Sequence, residues 1–143
     1  MRSLAFLLTL SLGLSFAGDA SACRGPFRKM PENYARAKVV FRGTVLDVRE
    51  AGPTAALAHS SILEIQLKVE HVYKGALDKT VTIRGDTTSC GFGRGLSKGD
   101  VVVIFAGGEP LGTSVVSGNF LLRGQPEEAV RLGELEALAT QKK

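Results

Sequence analysis

Lys38-Val-Val-Phe-Arg-Gly-Thr-Val-Leu-Asp-Val-Arg49 is the stretch on which the fold turns. Side chains alternate sides along an extended chain, so Val40, Arg42, Thr44 and Leu46 fall on one face and Val39, Phe41, Gly43 and Val45 on the other. This richness in Val, Phe and Thr predicts a long strand, with Gly43 marking a bend or bulge. Glu50 to Ser61 contains Gly52-Pro53 and reads as a loop. Ile62 to Tyr73 then alternates Ile65, Leu67 and Val69 with Glu64, Gln66, Lys68 and Glu70, as a half-buried strand does. The alternation breaks at His71-Val72, which suggests a second bulge.

Beyond a turn at Lys74-Gly75, Thr80 to Arg84 is a third strand. Asp100 to Ala106 (Asp-Val-Val-Val-Ile-Phe-Ala) is a fourth, apolar enough to be buried on both faces. Gly107-Gly108 and Gly112 bracket a turn, and Thr113 to Leu122 is a fifth strand. Five strands with bulges and glycines at bends suit a small closed sheet. Two helices flank it. Pro31 to Ala37 forms a short one with proline at its start. Pro126 to Thr140 forms the second, with Glu127 and Glu128 in its first turn and Leu132, Leu135 and Leu138 on one face.

Composition bounds the function. The chain has 143 residues, 44% hydrophobic and 22% charged, which is a folding mixture rather than a disordered one. The net charge of +4 is modest and its Lys and Arg are scattered, whereas a nucleic-acid partner would call for a clustered stripe. With two cysteines, two histidines and no tryptophan, neither a metal cage nor a base-stacking platform is expected. Gly91-Phe-Gly-Arg-Gly95 lacks the Lys-Ser/Thr of a phosphate loop and reads as a turn. His59 and His71 have no ligand or catalytic partner at suitable spacing, and Lys38, Arg42, Arg84 and Lys98 are explained as solvated strand edges. No nucleophile constellation is visible, so an enzyme is not expected, and no cofactor or metal of its own is implied.

The first 22 residues read as a secretory leader. Met1-Arg2 is a positive start, Leu4 to Phe16 an apolar stretch too short to span a membrane, and Ala20-Ser21-Ala22 a small-x-small cleavage site. Cleavage there makes Cys23 the amino terminus of a single domain, 23–143. Ser15-Phe16-Ala17 is a competing site, less favoured because the later one leaves the usual polar spacer. A lipoprotein reading, with Cys23 lipidated, would leave Cys90 unpaired in an oxidising compartment. One disulfide is the simpler account of two cysteines in an exported domain.

Ordered along the chain, several short motifs resemble the inhibitory domain of the tissue inhibitors of metalloproteinases (TIMP) and the related netrin-type (NTR) modules. They are amino-terminal Cys23, Ala37-Lys38-Val39-Val40-Phe41-Arg42-Gly43, Val72-Tyr73-Lys74-Gly75, Ser89-Cys90-Gly91 and Ser117-Gly118-Asn119-Phe120. Exported bacterial single-domain proteins are a closer match than animal ones. The departures come in pairs. The family's amino-terminal Cys-x-Cys has become Cys23-Arg24-Gly25, and the partner of its second cysteine falls at Gly118. Its third cysteine matches Ala35, whose partner would lie in a second domain missing here.

The resemblance implies a mainly β fold, a five-stranded closed Greek-key OB barrel with a flanking short helix and a C-terminal helix. It also implies a Cys23–Cys90 disulfide tying the terminus to the loop after the third strand. Closing the loop from position 23 to position 90 would contribute about 4 kcal/mol by chain entropy, so a plain structural staple is one full account of the pair. The other adds chemistry. In the family, the amino group and carbonyl oxygen of the terminal cysteine chelate the open position of a protease's catalytic zinc. The second residue, here Arg24, enters the specificity pocket, and Asp86, Thr87, Thr88 and Ser89 match the contacting loop. The family's second residue is small, so Arg24 implies a polar or acidic target pocket. The expected function is a secreted, monomeric metalloprotease-inhibitor-like binding protein, periplasmic or extracellular, with a zinc metalloprotease as partner and no membrane attachment after cleavage. The alternative is an exported OB-fold module for envelope polymer or protein, without protease inhibition.

Overall fold

A computed structural model describes residues 28–53, 60–88, 90–114 and 117–141. Cys23, Arg24, His59, Ser89 and the leader lie outside the described residues. Helix α1 (Met30–Arg36) is followed by strands β1 (Val39–Pro53), β2 (Ser61–Lys74), β3 (Thr80–Asp86), β4 (Val101–Ala106) and β5 (Phe120–Leu122), and helix α2 (Pro126–Thr140) comes last. The fold is mainly β: one antiparallel sheet in the order β3-β2-β1-β4-β5, with two helices.

Strand β1 organises the molecule because it pairs with β2 along its length and with β4 from Val39 to Thr44. Its alternating side chains feed two cores. On one face Val39, Phe41 and Val45 join Leu63, Ile65 and Leu67 of β2, Ile83 of β3 and Val102, Ile104 and Ala106 of β4. On the other, Val40 joins Val103 and Phe105 of β4, Tyr34 of α1, Tyr73, Phe120 and Leu135 of α2. β4 is apolar on both sides for this reason, as its unbroken Val-Val-Val-Ile-Phe-Ala run predicts.

The bulges fall where alternation fails. Phe41 faces Val72, Arg42 faces His71 and Gly43 faces Val69, so Tyr73 and Glu70 are left without opposite partners. Gly43 sits at the second of these shifts because the strands approach closely there: a Cβ would lie 2.7 Å from the Lys68 carbonyl oxygen.

Three expectations are corrected. The first strand does not stop at Arg49 but continues to Pro53, paired back to Ser61, so only part of Glu50–Ser61 is loop. The sheet is not closed by a continuous ladder. Instead, isolated bridges join Arg84 to Gly112 in parallel and Gly112 to Gly107, through Arg84 N–H to the Leu111 carbonyl (2.8 Å) and Thr113 N–H to the Arg84 carbonyl (2.9 Å). The fifth strand is Phe120–Leu122 rather than Thr113–Leu122. Asn119 is the reason. Its Oδ1 accepts the Phe105 N–H (2.7 Å), while Nδ2 donates to Thr113 Oγ1 (2.7 Å) and the Ser114 carbonyl (2.8 Å). One side chain thus takes bonds that a strand would have made.

Lys74 fastens α1 to the sheet. Its Nζ donates to the carbonyls of Tyr34 (2.6 Å), Ala35 (3.0 Å) and Ala37 (2.6 Å), groups left over at the helix end. The buried Tyr34 hydroxyl donates to the Tyr73 carbonyl at 2.7 Å. Lys74→Met keeps the apolar stem and removes the charged donor, and should lower stability by about 1.5–3 kcal/mol. A urea midpoint shifted down at constant slope is the expected reading, and an unshifted midpoint would refute the assignment.

Helix α2 matches its predicted bounds. Leu135 is fully buried, and Leu132 and Leu138 pack beside it. At its start the Glu128 carboxylate accepts the N–H groups of Arg123 (2.8 Å) and Gly124 (2.8 Å), and the Arg123 bond is the leading cause that holds its pKa below the usual glutamate value. A carboxyl depressed in the folded state stabilises it above the unfolded pKa, and that contribution is lost as pH falls through the folded value. Thermal midpoints of Glu128→Gln should therefore lie below the parent's at neutral pH and converge with it as pH drops below about 4. A gap that stays constant with pH would contradict this.

Candidate functional site

The loop leaving β3 is built from its own short side chains. Asp86 Oδ1 accepts the Thr88 N–H (2.8 Å) and the Thr88 hydroxyl, closing a tight turn. Thr87 is stapled to the start of β2: its N–H donates to the Ser61 carbonyl (3.0 Å) and its hydroxyl accepts the Ser61 N–H (2.8 Å). Gly91 N–H donates to the Thr88 carbonyl (3.1 Å), Gly91 bridges to Ser114, and Asp86 bridges to Gly93. Gly91 admits no side chain because a Cβ would overlap the Asp86 carboxylate.

The structure thus brings Asp86, Thr87, Thr88 and Cys90 together at one end of the sheet. Asp86 closes β3 rather than opening the loop, and the polar atoms of Asp86 and Thr87 hold the loop's shape. Cys90, half-buried on the turn, carries no free thiol. Ser61 and Ser114 escape sequence reasoning as members of this end, since each comes from a different segment. Gly91 is signalled by its motif and by the glycine density of 91–95, where a turn does run from Gly93 to Leu96 (3.1 Å).

The stem of the β1–β2 hairpin rises beside this loop. Arg49 meets the Glu64 carboxylate through Nη2 (2.7 Å) and Nε (3.0 Å), and the Ser61 hydroxyl donates to Glu50 (3.0 Å). Residues 54–59 of the hairpin lie outside the described residues. Elsewhere the basic side chains singled out from the sequence are partly neutralised: Lys38 pairs with Glu109, and Arg42 Nε lies 3.4 Å from Glu70. His71 stacks on Tyr73 with ring centroids 4.5 Å apart and approaches Glu136 at 3.5 Å, a contact between sheet and α2.

A cleft of about 360 Å³ opens between the Arg28–Ala37 stretch and residues 107, 112–114 and 117. Arg28, just ahead of α1, and Arg36, at its end, line one wall, and Thr113, Ser114 and Ser117 the other. Nothing in the sequence announces it, because its walls are separated by more than seventy positions. No helix among the described residues is long and apolar enough to cross a membrane. No protein-family model and no curated protein matches the chain.

Proposed function

We propose that this chain is an exported binding module of the tissue-inhibitor-of-metalloproteinases and netrin type. In this reading the sheet is an OB barrel, and Cys23, bridged to Cys90, presents its amino group and carbonyl oxygen to the zinc of a target metalloendopeptidase. Support for the barrel comes from β1 pairing with both β2 and β4, and from the parallel bridge of Arg84 to Gly112 across the gap between β3 and the segment leading to β5. The observation that carries the functional reading is Cys90. It has no free thiol and sits on a turn whose backbone is fixed at Thr87, Thr88 and Gly91.

The chemistry follows from a zinc that keeps one position open for water. A terminal amine ligates only when neutral, and its reference pKa near 8 makes that inexpensive at physiological pH. A terminus crosslinked to a rigid turn loses little freedom on docking, so the chelate adds to affinity instead of offsetting an ordering cost. Arg24 would then face the specificity pocket, favouring targets with an acidic or polar pocket. Arg24→Thr should strengthen inhibition of collagenase-type enzymes, and an unchanged inhibition constant would count against that role.

The deciding experiment determines the amino terminus of the exported protein by intact mass, then titrates a zinc endopeptidase with it and with a version carrying one Ala before Cys23. A free terminal amine at Cys23 and inhibition lost on extension are expected. Equal potency of the two proteins would overturn chelation.

A further inference from the structure

The cleft between the Arg28–Ala37 stretch and residues 107, 112–114 and 117 has a composition that selects its ligand. Among the described residues its cations are Arg28 and Arg36, and neither has an acidic partner there, unlike Lys38, Arg42 and Arg49. The backbone at Arg28 is held in place. The buried Asn33 donates through Nδ2 to the Arg28 carbonyl at 3.2 Å. Asn33 is itself pressed against Gly118, where a Cβ would come within 2.6 Å of that same nitrogen. The opposite wall is equally fixed, by Asn119 bonding Thr113 and Ser114 and by the Ser114 and Ser117 hydroxyls 3.2 Å apart.

We infer that this cleft binds a small polar organic molecule through a carboxylate group, gripped by Arg28 and Arg36. A guanidinium presents parallel N–H donors that match a planar carboxylate. Serine hydroxyls at the other wall serve the ligand's neutral hydroxyl groups, and the volume lies within the range of small-molecule sites. Phosphate is disfavoured by the backbone. Phosphate sites usually offer a nest of free amide N–H groups or a helix amino terminus. Here the amides of Gly107, Gly112, Thr113 and Ser117 are all bonded to carbonyls, that of Ser114 faces the Ser117 hydroxyl, and the Glu32 and Asn33 amides in the first turn of α1 are bonded to the Lys29 carbonyl.

Calorimetric titration of the exported protein with galacturonate tests this, alongside galactose and inorganic phosphate. Saturable one-site binding of galacturonate is expected, at least about tenfold tighter than either of the other two. The double variant R28Q/R36Q should weaken it about tenfold or more. K68Q/K98Q, which removes the same charge from exposed positions away from the cleft, should leave it within about twofold. Equal urea midpoints for both variants and the parent separate lost binding from lost folding. Phosphate binding as tight as galacturonate, equal weakening in the two double variants, or no saturable heat with galacturonate would each overturn the assignment. These results do not depend on the state of Cys23, so inhibition and carboxylate binding stand or fall separately.

Discussion

Gly85→Ala is expected to be the most damaging single-methyl substitution in the molecule, lowering stability by about 3 kcal/mol or more, the top of the overpacking range. Gly85 is buried in β3, and a Cβ built there overlaps the Phe92 carbonyl and lies 3.3 Å from Ile65 Cδ1 in the core. A side chain can rotate away from such a clash, but a carbonyl can move only with its backbone. Relief would push residues 91–93 off β3, break the Asp86–Gly93 bridge and shift the turn that carries Cys90. Gly133→Ala is the contrasting control, because nothing lies within 4 Å of its Cβ and α2 gains a better helix former. That variant should gain about 0.5–1 kcal/mol. Urea unfolding of both checks the pair, and a Gly85→Ala midpoint equal to the parent's would show that the 91–93 segment is not pinned as described.

The second large effect concerns Cys90 and separates a staple from a wedge. Under the proposed Cys23–Cys90 bridge, replacing Cys90 with Ala should cost about 2–5 kcal/mol, the usual loss when a small domain loses a native disulfide. Under the proposed function, inhibition of a zinc endopeptidase falls at the same time, because the terminus loses its anchor. Extension by one Ala before Cys23 should leave the urea midpoint in place while abolishing inhibition. Stability lost with potency intact in Cys90→Ala would reduce the bridge to a staple and remove the wedge from the account.

Much of the sheet is legible along the chain. Val39, Phe41 and Val45, and Leu63, Ile65 and Leu67, fall at even spacings along their strands and share one core, while Val40, between Val39 and Phe41, joins the other. The double-sided burial of β4 follows from its uninterrupted apolar run, and the leucine face of α2 packs where its spacing puts it. Bulges are legible too, at Gly43 and near His71, since a break in a two-residue period is a local signal. The end of the sheet is not. Residues 113–119 carry strand-forming types, yet the Asn119 amide captures the Phe105 N–H and the ladder with β4 stops at Phe120. No propensity of residues 113–119 encodes a competition with position 105.

The site divides along the same line. Cys90 and the Asp86–Ser89 loop are recognisable as motifs, because a turn of short polar residues is written locally. That Thr87 spends its polar atoms on Ser61 depended on β2 arriving alongside. The cleft of Arg28 and Arg36 exists only because α1, moored to β2 by Lys74, comes to lie against Thr113, Ser114 and Ser117 from far along the chain. Sequence alone therefore determined the periods, the bulges and the helix faces, which are properties of neighbours a few residues apart. Tertiary structure decided where the ladder stops, which polar atoms remain unspent and where a cavity opens, because hydrogen-bond partners and void space are set by whichever distant segments fold into contact.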